Sequence, residues 1–238
     1  MSYDPYATAT TARTGAAIDV GLQTHMRQVY NTMCMGLVAT GLVAFAVAAT
    51  PALHPVLFGT PLALVVMLAP LAFIFFGFTP KRIATWPSAK IKTMFFVFSA
   101  LMGLSMASIF LVFTAESIAR VFFITAATFA ATSIYGYVTK RDLAAMGSFL
   151  FMGLIGIVIA ALVNLFLQSS MLQFVVSAIG VVVFTGLTAW DTQRIKETYA
   201  YNNGTEANDK MAIMGALSLY LNFINLFQSL LSLMGNRE

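Results

Sequence analysis

Long apolar runs alternate with short polar ones from about residue 29 to the end of the chain. The run FVVSAIGVVVFTGLTAW, from Phe174 to Trp190, holds no charged side chain. Lipid offers no hydrogen bonds to the backbone, so runs this long are satisfied only as helices. Barrel strands would instead read as alternating segments of about ten residues. The pattern predicts seven spans, at about 29–49, 61–78, 94–113, 118–134, 147–167, 171–191 or slightly beyond, and 211–234. Asp19 is placed to cap the helix leading into the first span, Pro51 and Pro55 stop it, and Pro80 closes the second. Thr139 and Asp142 have the spacing of a capping box before the fifth span. Gln168, Ser169 and Ser170 form a short turn, and 198–209 reads as a polar loop.

Composition points the same way. Of 238 residues, 59% are hydrophobic and 9% charged, against about 25% charged in a soluble domain. The expectation is an all-α integral membrane protein, a seven-transmembrane-helix bundle. It divides into a flexible cytoplasmic tail at 1–18, rich in Ala and Thr, and one transmembrane domain at 19–238. The first 27 residues contain no apolar core of a signal peptide. Cys34 is the only cysteine, so an intramolecular disulfide is excluded, and it reads as a packing residue.

The net charge of +4 lies in short loops, as a topology signal and not a nucleic-acid footprint. Arg13 and Arg27 precede or open span one, and Lys81, Arg82, Lys90 and Lys92 follow span two. Lys140 and Arg141 follow span four, and Arg194, Lys196 and Lys210 follow span six. The opposite turns carry none apart from Arg120 and Arg237. The N-terminus is therefore expected in the cytoplasm and the C-terminus outside.

Ionisable groups at membrane depth are costly and tend to mark function. Asp191 ends the apolar run of span six, with Arg194 one turn on as a structural partner. Glu116 and Arg120 are spaced for an i,i+4 ion pair at the outer start of span four. In span seven Gly215, Ser218, Asn222, Asn225, Ser229 and Ser232 recur at threes and fours as one small, polar stripe. That stripe faces protein or water. It supplies either interhelical hydrogen bonds worth about 0.6 kcal/mol each or the wall of a polar cavity. Small residues three or four apart, Gly103/Ala107 and Ala127/Ala131, suit close helix packing.

The inventory argues against an enzyme. His25 and His54 are the only histidines, so no HExxH site forms, and GxSxG and P-loop patterns are absent. An intramembrane aspartyl protease needs two buried aspartates, and Asp191 alone lies in or against a span.

The segments DVGLQTHMRQVYNTMCMGLVATG, TFAATSIYGYVTKRDLAAMGSFLFMGLIG, FTGLTAWDTQRIK and LSLYLNFINLFQSLLSL resemble the Bax inhibitor-1 family. They are most similar to its bacterial branch, which includes a modulator of the membrane protease FtsH. The resemblance implies a bacterial inner-membrane protein whose central helix is wrapped by the others. For several members it implies a pH-sensitive calcium leak, sensed by one aspartate in span six and another in span seven. Asp191 matches the first, but Asn222 stands where the second is expected. An Asp–Asn pair lacks the like-charge repulsion that makes two carboxylates share a proton. Proton sensing should weaken or move to lower pH, and Ca²⁺ affinity should fall with the lost charge. An arginine carried in span two by some members is also missing here. The two residues are offset in depth as well: Asp191 ends its span, whereas Asn222 is about 16 Å into its own.

Two functions stay open. One is a pH-influenced cation leak, with Ca²⁺ as permeant ion touching Asp191, Asn222 and Asn225 lining the path, and no other cofactor. The other is a non-conducting regulator that binds a membrane-bound AAA protease such as FtsH, reached through the tail. Under either, the lipid bilayer is the first partner.

Overall fold

A computed structural model describes residues 5–199 and 204–236, with side chains from Val20 onward except that of Phe58. The helices run α1 Pro5–Ala48, α2 His54–Phe58, α3 Leu62–Gly77, α4 Pro80–Thr85, α5 Ser88–Met106, α6 Ile109–Val112, α7 Ala115–Val138, α8 Ala144–Leu167, α9 Ser170–Thr198 and α10 Thr205–Met234. Among the described residues six are long and apolar enough to cross a membrane: α1 over Val20–Ala48, α5 continued by α6, and α7 to α10. The seventh expected span is α3. Its 16 residues measure about 24 Å, short of the roughly 30 Å hydrocarbon core. It counts as a span when joined to the segment Pro51–Leu57, which meets it at 84°.

The helix ends differ from the sequence reading for local reasons. Asp19 lies inside α1, which already runs from Pro5, and not at the start of a helix. Thr139 and Asp142 form no capping box. Thr139 terminates α7 and accepts from the Arg141 amide, while Asp142 accepts from the Ala144 amide at 2.8 Å. α9 and α10 both run past their apolar windows at the end they share. There Glu206, in the first turn of α10, accepts from the Ser88 amide at 2.6 Å and its hydroxyl at 2.9 Å, capping α5 from another helix. Hydropathy sees none of this, since such turns are held by tertiary contacts.

α10 is the central helix, packing on α9, α1, α7 and α5. Leu219, Tyr220, Leu226 and Leu231 on it are fully buried. Tyr220 ties three helices together: its hydroxyl lies 2.6 Å from Thr40 Oγ1, which also donates to the Ser99 carbonyl. Close approach is set by glycines. A Cβ at Gly103 would lie 2.5 Å from the Thr40 carbonyl oxygen, and one at Gly136 would run into the Ala189 backbone. Gly103 and Ala107 thus serve packing as expected, whereas Ala127 and Ala131 are exposed. α8 packs chiefly on α9 and turns Phe149 and Phe166 outward, as a lipid-facing helix does.

The basic loops gather at one end of the bundle. Gln193 on α9 donates to the Arg141 carbonyl and accepts from the Leu143 amide, and Lys196 donates to the Tyr137 carbonyl. The YGYVTKRDL and TAWDTQRIK stretches are therefore a loop and its clamp. The opposite end is closed by the Thr114 amide bonding the Asn236 carbonyl at 3.1 Å.

Candidate functional site

Asp191 lies inside α9, seven residues before Thr198, and is 4% exposed. Its Oδ2 accepts from Ser218 Oγ at 2.7 Å and from Asn222 Nδ2 at 2.8 Å. Its Oδ1 faces the Arg194 guanidinium at 2.9 Å, an ion pair outside hydrogen-bond alignment. Arg194 is half-exposed and lies 4.8 Å from the centre of the Trp190 ring.

Asp191 and Asn222 therefore touch, and the apparent offset in depth came from the span boundaries. α9 continues about 10 Å beyond Asp191 at 1.5 Å per residue. The first turns of α10 project past it to reach α5.

The polar stripe of α10 meets α9 along its length. Gly215 packs on Ile195, Ser218 and Asn222 hold Asp191, Ser229 sits against Gly180, and Ser232 accepts from Gln173 at 3.3 Å. Asn225 does not reach the carboxylate, because its amide donates to the Leu221 carbonyl of its own helix. It still lines, with Asp191, Arg194, Asn222 and Gln228, a cavity of about 700 Å³ between α3, α5, α8, α9 and α10. Away from these groups its walls are mostly apolar. A second cavity of about 450 Å³ shares Ala161 and Leu165 with it and is lined by Asn164, Gln168, Gln173 and Ser177. Together they place amides and hydroxyls from Asp191 toward the end of the bundle opposite the basic loops.

The cation beside the carboxylate, Arg194, comes from α9 itself, one turn on. Arg82, in α4, donates to the Phe76 carbonyl at 2.5 Å. Glu116 and Arg120 are both exposed and form no ion pair with each other. Among the described residues the pairs are Asp191–Arg194 and the looser Lys210–Glu206 at 3.9 Å. Water and headgroups compete for charges at such a helix end, so i,i+4 spacing alone does not close the pair.

No three of His, Cys, Asp and Glu cluster as metal ligands among the described residues. Ca²⁺ takes six to eight oxygens, whereas both Asp191 oxygens already face donors. Here the carboxylate is held by two hydrogen bonds and an ion pair.

Sequence reasoning missed three features. Gln193 is 6% exposed and anchors a loop, which its position in a charged tail does not signal. Tyr30, Ser133 and Thr192 form a hydroxyl chain across α1, α7 and α9, a long-range pairing that spacing cannot encode. Cys34 is exposed in an open groove and is not a packing residue.

The family model described as Inhibitor of apoptosis-promoting Bax1 matches residues 22–238. Inner membrane protein YbhL of Escherichia coli is 47% identical over 222 residues, covering 92% of this chain and 94% of that protein. A Rickettsia prowazekii protein is 44% identical over 234 residues, covering 97% of both. A Caulobacter vibrioides protein is 42% identical over 239 residues, covering 95% of this chain and 94% of its own.

Proposed function

This chain belongs to the Bax inhibitor-1 family and is a multi-pass inner-membrane protein, and from that premise we propose that it forms a cation leak past Asp191. The observation that carries the reading is a buried carboxylate on the wall of a 700 Å³ intramembrane cavity, with its countercharge half-exposed beside it. A carboxylate lining a cavity draws cations in, and the Arg194 guanidinium holds that charge neutral while the pair is closed. Releasing Arg194 frees the carboxylate. Protonating Asp191 also releases Arg194 but removes the charge, so pH acts on the latch and the attraction in opposite senses. Asn222 and Ser218 orient the carboxylate without repelling it. The amides beyond, from Asn225 and Gln228 to Gln173 and Asn164, offer carbonyl oxygens to an ion that has shed water. Ca²⁺ is a permeant ion in this scheme. The N-terminus lies in the cytoplasm, on the side of the basic loops.

The rival is a non-conducting regulator of a membrane-bound AAA protease. It is favoured by the closed Asp191–Arg194 pair, by Asn222 in place of a second carboxylate, and by the apolar character of most of the cavity wall.

The test is ion flux from proteoliposomes holding a trapped calcium dye. Arg194→Gln should raise flux several-fold, and Asp191→Asn should bring it to or below the wild-type level. Flux equal to empty liposomes in the wild type and both variants would sink the leak and leave the regulator.

A further inference from the structure

A separate cavity of about 700 Å³ opens on the other face of α10, where α1 and α7 part over Phe223. We propose that this groove is a binding site for an anionic phospholipid, its acyl chain lying along the groove and its headgroup at Arg27. The reading is independent of whether Asp191 conducts.

Three observations fix the occupant. First, the groove is apolar along its length. The Tyr30 hydroxyl on its wall is already bonded to Ser133, and most of the surrounding wall is methionine, leucine, isoleucine, phenylalanine and alanine. An acyl chain fills such a surface without leaving any polar group unsatisfied. Second, the groove follows α1 from Gln23 to Leu37, about 21 Å at 1.5 Å per residue. One leaflet of hydrocarbon is about half the roughly 30 Å core, so its length suits a lipid of one leaflet together with its glycerol region. Third, polarity is confined to one end. Arg27 and Gln23 are exposed there, and Arg27 has no ion-pair partner among the described residues. Lys196, 5.2 Å from the centre of the Tyr137 ring, is already committed to the Tyr137 carbonyl, so Arg27 is the cation of the groove lining. One unpaired cation at the headgroup end of an apolar slot complements a phosphate. A transmembrane helix of a partner would bring no anion to that position by its nature.

Cys34 provides the reporter. It lines the groove, is exposed, and is the only cysteine of the chain, so bimane attaches there without mutagenesis. The labelled full-length protein is reconstituted in phosphatidylcholine vesicles. These contain, at equal mole fractions, acyl-brominated phosphatidylglycerol or acyl-brominated phosphatidylcholine. The expected result is quenching by the anionic lipid at about one-fifth the mole fraction needed with the zwitterionic one, the preference contributed by one basic side chain near an anionic lipid. Arg27→Gln should abolish that preference while quenching by brominated phosphatidylcholine persists. High salt should narrow it in the unmutated protein, so the test does not hang on one variant folding. Equal quenching by both lipids in the wild type would overturn the proposal, leaving the groove as ordinary lipid-facing surface. Absence of quenching by either would overturn it too, assigning the groove to a second copy or a protein partner.

Discussion

Asp191 is costly to bury and is held by two hydrogen-bond donors from the facing helix and by the Arg194 ion pair. Truncating one member of a fully buried pair costs about 3–5 kcal/mol. Arg194 is half-exposed, so its charge returns to water when Asp191 is replaced, and the loss should fall well below that range. Asn222 is the residue on which pH behaviour turns. Asn222→Asp places a second carboxylate against the first, and two such groups share a proton. The expected outcome is flux with a steeper dependence on pH between mildly acid and neutral than the wild type shows, read by the same dye assay. An unchanged profile would mean that the two side chains do not act together. Tyr220 gives a purely structural contrast. Tyr220→Phe removes one buried hydrogen bond to Thr40, which keeps its bonds to the Gly36 and Ser99 carbonyls. A loss of about 1 kcal/mol, seen as a lower melting temperature in detergent with flux retained, is expected.

At the scale of elements, backbone contact decides where helices meet. α7 reaches α9 through Gly136, whose missing Cβ leaves room for the Ala189 carbonyl. Gly136→Val must push the helices apart. Overpacking of this kind costs about 1–3 kcal/mol or more. It should also break the Ser133–Thr192 contact one turn away. Loss of a single sharp peak in size-exclusion chromatography, or a large fall in melting temperature, would register it; wild-type behaviour would show that the helices yield. The clamp of the α7–α8 loop by Gln193 and Lys196 belongs to this scale too. It ties the YGYVTKRDL stretch to α9 through backbone groups of the loop.

For the whole molecule, the basic loops define one end and the Asn236–Thr114 contact the other. In a Cys34→Ser background, Asn236→Cys should react with an impermeant maleimide added outside intact cells, and Lys140→Cys should not. The reverse labelling would invert the orientation and, with it, the leaflet that supplies a lipid to the Arg27 groove. Helical class, the approximate spans and the family were legible in the sequence, because lipid forces long apolar runs into helices and because the four quoted segments are specific. Asp191 and Asn222 were legible as candidates for the same reason: polarity at depth stands out against an apolar run. Their contact was not, since hydropathy ends a span where charge begins, while α9 and α10 continue as helix beyond that point. Spacing did name Arg194 as the partner of Asp191, but it could not tell that Glu116 and Arg120 stay apart or that Cys34 is exposed. Each of these depends on which surfaces of different helices meet, and only the packed bundle decides that.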